Sequence, residues 1–225
     1  TRAYFKRSKD ANKLIEEFML LANRTVAEFV ATGCKGVGDA PAKGARKQAK
    51  TFVYRVHDEP NQEKIENLRN FIGNFGYRMG ATTNGKEISK ELNNLFAAAK
   101  DTPEYNAIEL LSLRTMAKAR YDTENLGHYG LAFKYYTHFT SPIRRYPDML
   151  VHRLLSQYLS GGQSAEKSLY DKLCKHASER EIVAAEAERA SIKYKLVEFM
   201  QDKVGYTFGG HISGLTEWGM YVEIE

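Results

Sequence analysis

The chain has 225 residues, of which 43% are hydrophobic and 27% are charged. That length is enough for one domain of moderate size, or for one domain and part of a second. No apolar run approaches the roughly 20 residues that a membrane-spanning helix needs, so the sequence argues against a transmembrane protein. The two cysteines, Cys34 and Cys174, are too few for a disulfide framework or a four-thiolate zinc site. We therefore expect a protein of a reducing, cytoplasmic compartment.

The net charge of +5 is concentrated in one segment. Between Gly33 and Lys50 the chain is rich in glycine, alanine and lysine, and only Asp39 is acidic. The basic residues of this segment are Lys35, Lys43, Arg46, Lys47 and Lys50. Such a composition is typical of a flexible loop. A plain solvated loop is the simpler interpretation, and a salt-sensitive contact with nucleic-acid phosphates is the alternative.

The first half of the chain predicts three helices and one extended segment. Residues 10–31 are predicted to be helical because apolar residues recur three and four positions apart, namely Leu14, Phe18, Leu21, Ala22, Val26, Phe29 and Val30. These side chains should share one buried face. Residues 52–57 alternate in polarity like a short strand. A second helix begins at Asn61 and ends at Gly76, and a third begins near Ser89. The second helix should bury Ile65, Leu68, Ile72 and Phe75.

The second half of the chain predicts three more helices and then a change to strands. The helices cover about residues 102–120, 147–160 and 164–203. From Val204 onward the sequence alternates like a β-hairpin whose turn lies near residues 216–219. Because an isolated hairpin is marginally stable, we expect residues 204–225 to begin a small β-domain. The chain opens on Thr1 rather than Met and ends within a predicted strand, so we expect a piece of a longer polypeptide.

Aromatic and basic residues are densest between Gly127 and Arg153, where Arg144 and Arg145 precede a predicted helix. A helix N-terminus offers unpaired backbone N–H groups, and a neighbouring guanidinium matches phosphate oxygens, so the pattern suits a phosphodiester ligand. The competing interpretation is that both arginines pair with carboxylates while the aromatic side chains form ordinary core.

The histidines of this stretch have a simple structural interpretation. No His, Asp or Glu lies at metal-ligand spacing from His128 or His138, so both are predicted to be structural. Asp148 and His152 are four residues apart on the predicted helix. We expect them to form a pair on its surface.

The same stretch resembles the signature of the ribonuclease R and ribonuclease II family, the RNB family. The motif is Thr140-Ser141-Pro142-Ile143-Arg144-Arg145-Tyr146-Pro147-Asp148, preceded by Gly127-His128-Tyr129-Gly130-Leu131. Further segments resemble the family in the same order, namely residues 14–23, 54–58, 113–116 and 187–189. Residues 210–222 resemble the start of the OB-type RNA-binding module that follows the catalytic domain in these enzymes. The resemblance spans almost the whole chain.

The resemblance implies an α+β fold in two parts. Residues 1–203 would be the mainly helical C-terminal half of an RNB-type catalytic domain, and residues 204–225 the first strands of an OB-fold β-barrel. The implied activity is 3′-to-5′ hydrolysis of RNA, mainly from single-stranded 3′ ends, to nucleoside 5′-monophosphates.

The resemblance also implies magnesium (Mg²⁺) as cofactor, held in the family by a cluster of four aspartates. This sequence has no such cluster, because no two of its eight aspartates lie within five positions of each other. We therefore expect no metal ligand in this chain and the aspartates in the upstream part of the same polypeptide. We expect a monomer.

Residue by residue, the resemblance makes Arg144 the catalytic arginine that contacts the scissile phosphate. Arg145, Tyr146 and Arg153 would support the phosphate site and bind RNA. Two acidic positions near the RNA 3′ end are matched, one by Glu16 or Glu17 and the other by Glu188. Ribose hydroxyls that donate to these carboxylates would favour RNA over DNA. Without the family, a solvated helix surface is the preferred interpretation of all three glutamates.

Two alternatives remain at this stage. The chain could be a non-catalytic RNA-binding or scaffold protein built on a degenerate nuclease domain, and the aspartates of the upstream region would decide between the two. The helices could instead form a DNA-binding or protein-interaction bundle. The aromatic β-segment next to them argues against that second alternative.

Overall fold

The computed structural model describes residues 8–33, 50–81 and 84–224. Its helices and strands in chain order are α1 (Asp10–Ala31), β1 (Tyr54–Val56), α2 (Gln62–Gly73), α3 (Gly85–Ala99), α4 (Tyr105–Thr115), β2 (Arg120–Asp122), α5 (Tyr146–Leu159), α6 (Lys167–Met200), β3 (Gly210–Thr216) and β4 (Gly219–Ile224). This mixture of helices and strands confirms the predicted class in its coarse form. The chain divides into two compact units. The first unit contains the described residues up to Gln62 and the stretch Met116–Ala184, and the second contains Glu63–Thr115 and the described residues from Ala185 onward.

Helix α1 has the predicted bounds, but only the second half of its predicted apolar face, with Val26, Phe29 and Val30, packs on the core. Gly33 follows it in the left-handed region, at φ +84, where a residue without Cβ is favoured. Leu14, Phe18 and Leu21 were predicted to be buried, and each is more than half exposed. The side chains of α1 that are buried are Asn23, Ala27 and Val30. The prediction of one continuous buried face was wrong because only the second half of α1 packs on the core of the first unit.

Two three-residue strands form a small antiparallel ladder in the first unit. Arg55 of β1 lies opposite Tyr121 of β2. Strand β1 lies within the predicted extended segment, but β2 contradicts the predicted helix over residues 102–120. That helix, α4, ends already at Thr115. Residues 120–122 pair with β1 instead of continuing a helix, a contact distant in sequence that helical periodicity does not encode.

The core of the first unit joins both strands to α5 and the beginning of α6. Its buried side chains include Phe52, Val53, Tyr54, Val56, Tyr121, Leu150, Val151, Leu154, Cys174 and Ala177. Burying a large apolar side chain contributes about 1.5–3 kcal/mol to the stability of the fold.

The amide of Asn23 adds two polar contacts, since Nδ2 donates to the Tyr136 hydroxyl (3.2 Å) and Oδ1 accepts from the Phe139 N–H (2.9 Å). These bonds attach α1 to the segment that leads to the two arginines.

Helices α2, α3 and α4 form the larger described part of the second unit. Helix α2 buries Ile65, Leu68 and Ile72 as predicted. Phe75 lies beyond its end and is 46% exposed, so its predicted burial was wrong. Helix α3 begins about four residues before its predicted start. The reason is a cap, because the Asn84 side chain accepts a hydrogen bond from the Lys86 N–H (3.0 Å).

The strands predicted after Val204 are present as the hairpin β3–β4. Thr216 lies opposite Gly219 at the turn, and the register shifts between Ile212 and Gly214. Helices α5 and α6 agree with their predicted bounds to within three residues. No helix in the described ranges is long and apolar enough to cross a bilayer.

The basic segment predicted as a loop lies outside the described residues, apart from Gly33 and Lys50. The Lys50 ammonium donates to the Gly162 carbonyl (2.8 Å) and lies 4.6 Å from the centre of the Tyr158 ring. Lys50 therefore belongs to the packed surface of the first unit rather than to a solvated loop.

Candidate functional site

A buried carboxylate closes the turn before α5. Asp148 is fully buried, and its Oδ1 accepts hydrogen bonds from the Ser141 N–H (2.7 Å) and from Arg145 Nη2 (2.8 Å). Pro147 suits the first turn of a helix, and the N-cap residue Arg145 is extended (φ −127, ψ 117), so α5 begins immediately after it. The carboxylate also lies where the helix dipole stabilises negative charge. Asp148 thus joins the start of the turn to its end and sets its shape.

This geometry contradicts the predicted surface pair of Asp148 and His152. The His152 ring lies parallel to the Phe139 ring with centroids 4.1 Å apart, and Nε2 lies 2.9 Å from the Phe139 carbonyl oxygen. The four-residue spacing does place both side chains on one face of α5. That face packs into the first unit, so each side chain has a partner outside the helix.

The two adjacent arginines of the turn have different environments. The Arg145 side chain is 22% exposed and forms an ion pair with Asp148. Arg144 is exposed, and within the described residues its guanidinium has no hydrogen-bond or ion-pair partner. Arg144 is therefore the arginine whose guanidinium is available to a ligand.

A cavity of about 550 Å³ lies beside the turn, wholly within the first unit. Its lining residues come from β2, from the turn with the start of α5, and from α6: Tyr121, Arg144, Arg145, Tyr146, Pro147, Leu173, His176, Ala177, Arg180, Glu181 and Ala184. Positions four apart lie on one helix face, which brings two neighbouring rows of α6 to the cavity. A volume of this size is typical of small-molecule and nucleotide pockets.

Glu181 and Arg55 neutralise each other at the edge of this cavity. Arg55 Nη1 donates to Glu181 Oε2 (2.6 Å), and the Arg55 side chain is only 13% exposed. The Arg55 guanidinium also lies 4.6 Å from the centre of the Tyr121 ring, close enough for a cation–π contact. Arg55 and Glu181 thus fix the ring that forms one wall of the cavity.

After these pairings, the cavity carries an excess of positive charge. Its one lining carboxylate, Glu181, is paired with Arg55, and Arg145 is paired with Asp148. The guanidiniums of Arg144 and Arg180 have no partner in the part of the chain that the structure describes. Unpaired cations in a concave site with apolar walls raise the local concentration of anions. The geometry is therefore suited to binding a phosphate or another anion.

His138 is a neutral ring that contacts Tyr121, one of the residues that line the cavity. Its Nδ1 lies 2.8 Å from the Tyr121 hydroxyl oxygen. Burial, and then the positive charges of Arg145 and Arg55, lower the pKa of His138 to about 3. At neutral pH the ring is uncharged, so its role is to position Tyr121.

His128 is likewise a structural residue. Burial, and then the neighbouring His57, lower the pKa of His128 to about 4. Its Nδ1 accepts a hydrogen bond from the Leu131 N–H (3.2 Å), and its ring lies 5.0 Å from the His57 ring, centre to centre. The prediction that His128 and His138 are satisfied structural histidines is confirmed.

The remaining predicted site residues occupy several places. Tyr146 lines the cavity and is 44% exposed. Arg153 lies exposed on α5 and does not line the cavity. Glu16 and Glu17 are exposed near the start of α1, and neither has a partner among the described side chains; Glu188 is exposed on α6 in the second unit. Of the predicted residues, the structure gathers three at one cavity, namely Arg144, Arg145 and Tyr146.

Sequence reasoning missed several residues of the site. They are Arg55, Tyr121, His176, Arg180 and Glu181. The four-residue spacing of His176, Arg180 and Ala184 would place all three on one face of a helix. However, α6 carries charged residues around much of its circumference, so the sequence gives no reason to prefer this face. Only the packing of α6 beside the turn identifies it.

The described residues do not provide a magnesium site. Within residues 8–33, 50–81 and 84–224, no three His, Cys, Asp or Glu side chains cluster so as to hold a metal ion. The carboxylates of Asp148, at the turn, and of Glu181, at the cavity, are each paired with a guanidinium.

The chain matches a known domain family. The RNB domain model matches residues 2–161. Ribonuclease R of Thermotoga maritima is 41% identical over 222 residues, which is 95% of this chain and 29% of that protein. The structure of Mycoplasma genitalium RNase R with ribose-methylated single-stranded RNA is 29% identical with a TM-score of 0.79, covering 99% of this chain and 33% of that chain. The structure of yeast Ssd1, a pseudonuclease, is 29% identical with a TM-score of 0.56, covering 75% of this chain and 20% of that chain. This chain thus spans less than a third of the length of the curated relative.

Proposed function

The chain belongs to the RNB family, and from this premise we propose that it is part of a 3′-to-5′ exoribonuclease acting on single-stranded RNA. Hydrolysis releases nucleoside 5′-monophosphates. The observation that supports this proposal most directly is Arg144, a guanidinium without a described partner at a cavity with excess positive charge. The ribonuclease R relatives support the same substrate class.

In this proposal Arg144 contacts the scissile phosphate. Negative charge builds on the phosphate oxygens as the bond breaks, and a guanidinium already in place stabilises that charge without reorganisation. One such preorganised donor lowers the barrier by about 3–4 kcal/mol. Arg145 does not contact the reacting atoms. It acts as a positioning residue, because its ion pair with Asp148 holds the turn that presents Arg144.

Other parts of the longer polypeptide complete the site. The described residues offer no metal cluster, so we assign the magnesium-binding carboxylates to the upstream part. Glu16 or Glu17, together with Glu188, would accept hydrogen bonds from ribose hydroxyls near the RNA 3′ end, which favours RNA over DNA. Arg153 is assigned to the RNA backbone outside the cavity.

Residues 204–225 are assigned to the start of an OB-fold RNA-binding domain, and residues 1–203 to the catalytic domain. The hairpin β3–β4 supports this assignment by its antiparallel pairing and its exposed aromatic residues, Trp218 and Tyr221. Exposed aromatic rings on a β-surface are platforms on which unpaired bases stack.

A second candidate function is RNA binding without catalysis. The observation that favours it is the likeness to the structure of yeast Ssd1, which is a pseudonuclease. Arg144 is compatible with both functions, because a free guanidinium can bind a phosphate or stabilise the charge that develops on a reacting one. Hydrolysis decides between them.

Hydrolysis of 5′-labelled single-stranded RNA separates the two functions. With magnesium, the complete polypeptide should shorten the RNA from its 3′ end and release nucleoside 5′-monophosphates, whereas an RNA with a blocked 3′ end should persist. The 225-residue chain alone should bind the RNA and release nothing, because it supplies the arginine but no metal cluster. Binding without hydrolysis by the complete polypeptide would support the pseudonuclease alternative instead.

A further inference from the structure

The cavity contains a second free guanidinium that the RNB motif does not include. Arg180 is exposed on α6, one helical turn after His176 and one before Ala184, and all three residues line the cavity. The regular period of α6 fixes this position. Arg180 therefore reaches the cavity from a different element than Arg144, which lies in the turn before α5.

The positive charge of Arg180 is not neutralised by the nearby carboxylates, because each of them is paired with another arginine. Glu181, the next residue, is held by Arg55 at 2.6 Å. Asp148 is fully buried and held by Arg145. Within the described residues, nothing pairs with Arg180, so two unpaired guanidiniums line the same cavity. Like charges in one concave site repel each other, and an anionic ligand that contacts both removes this repulsion.

The other walls of the cavity favour a nucleotide chain over a free anion. Leu173, Ala177 and Pro147 are apolar, and Tyr146 presents a half-exposed aromatic ring. A small inorganic anion would use the two guanidiniums and leave these walls in water. A polynucleotide uses both, since its phosphates contact arginine while sugars and bases pack on apolar and aromatic surfaces.

We propose that Arg180 contacts the backbone phosphate next to the one that Arg144 contacts, so that the cavity holds two successive phosphates of single-stranded RNA. This inference rests on the proposed function, and it adds a residue that sets the path of the RNA. Arg180 contributes equally to the ground state and the transition state, because its phosphate does not react. It is a binding residue, whereas Arg144 acts mainly on the rate.

The test is equilibrium binding of a fluorescent oligoadenylate to the 225-residue chain over a series of salt concentrations. Arg180→Gln removes the charge, and Arg180→Lys keeps the charge but loses the planar fork. Lys175→Gln is the matched control, because Lys175 is an exposed cation on the same helix that does not line the cavity. Circular dichroism of each variant verifies that α6 is intact, and inorganic phosphate serves as a competitor.

We expect Arg180→Gln to bind about tenfold more weakly at low salt, since a charge-assisted hydrogen bond is lost. The slope of log K against log salt should fall by about 0.7, the value for one phosphate contact on a single strand. Arg180→Lys should keep the wild-type slope, and Lys175→Gln should match the wild type in affinity.

Three results would overturn the inference. If Arg180→Gln behaves like Lys175→Gln while the wild-type chain binds RNA, Arg180 does not contact the backbone, and the proposed function stands. If inorganic phosphate displaces the RNA as effectively as unlabelled oligoadenylate does, the cavity takes a free anion instead. If the wild-type chain binds no RNA, the inference fails, and the proposed function is decided separately by RNA hydrolysis with the complete polypeptide.

Discussion

Replacing Asp148 by Asn tests whether the buried carboxylate holds the arginine turn. Asparagine has nearly the same shape, and its Oδ1 can still accept the hydrogen bond from the Ser141 N–H (2.7 Å). What is lost is the charge of the carboxylate opposite Arg145 Nη2 (2.8 Å). The substitution therefore separates the electrostatic contribution of the pair from its shape.

The expected loss follows from the burial of the two partners. A hydrogen bond to a charged group contributes about 1.5–3 kcal/mol and a neutral one about 0.5–1.5 kcal/mol, so removing the charge costs about 1–2 kcal/mol. The Asp148 side chain is fully buried, which preserves this contribution, while the 22% exposure of Arg145 keeps the loss near the middle of this range. For a chain of this length, about 1.5 kcal/mol lowers the thermal midpoint by roughly 3–6 °C.

Urea and thermal unfolding of Asp148→Asn measure this loss, with Glu198→Gln as the control. Glu198 pairs with Lys195 at 2.7 Å, but both side chains are exposed, and such pairs contribute about 0–1 kcal/mol. We expect the midpoint of Asp148→Asn to fall clearly below that of the control at an unchanged m value. If the two variants lose the same stability, the Arg145–Asp148 pair does not hold the turn.

Two further predictions concern buried titratable groups. Burial holds the pKa of His138 at about 3, below the ordinary value near 6.5. The unfolded chain therefore takes up a proton at this position first as the pH falls, and His138 should contribute a stability loss of about 1.4 kcal/mol per pH unit from roughly pH 6 to pH 4, in addition to the loss from His128. His138→Gln should flatten this slope in urea unfolding, and an identical pH profile for the variant would be inconsistent with a buried neutral ring. Burial raises the pKa of the Cys174 thiol to about 12. In a Cys34→Ser variant, a thiol reagent should therefore modify Cys174 only at the rate at which the protein unfolds. Modification of the native protein within seconds would contradict this prediction.

The sequence predicted the elements whose pattern is local. The bounds of α1 and α5 and the turn of the hairpin follow from apolar spacing, from a helix-stopping glycine and from Pro147, and all agree with the structure. The buried face of α1 was predicted less well. Periodicity identifies an apolar stripe, but it does not tell which part of the stripe meets the core of the unit.

Contacts distant in sequence account for the other differences. Strand β2 forms by pairing with β1, and nothing in the sequence of residues 116–122 indicates that pairing. Asp148 and His152 have helical spacing, yet each bonds to the segment before α5 instead of to the other.

The candidate site shows the same division. Arg144 and Arg145 are predictable from the motif, because the residues that build the turn are adjacent in sequence. Arg55 and Arg180 are not, because the cavity forms only when β1, β2 and α6 pack beside that turn. The residues of a site can be predicted from the sequence only when they lie in one continuous segment of the chain.

The most direct test of the account is single-turnover RNA cleavage by the complete polypeptide carrying Arg144→Lys or Arg145→Lys, measured beside equilibrium RNA binding. Arg144→Lys keeps the charge but loses the planar fork, so cleavage should slow about tenfold or more while binding changes little. Arg145→Lys can still pair with Asp148 and should be milder. Equal damage from both substitutions, or a loss of binding in proportion to the loss of rate for Arg144→Lys, would contradict the assignment of Arg144 to the scissile phosphate.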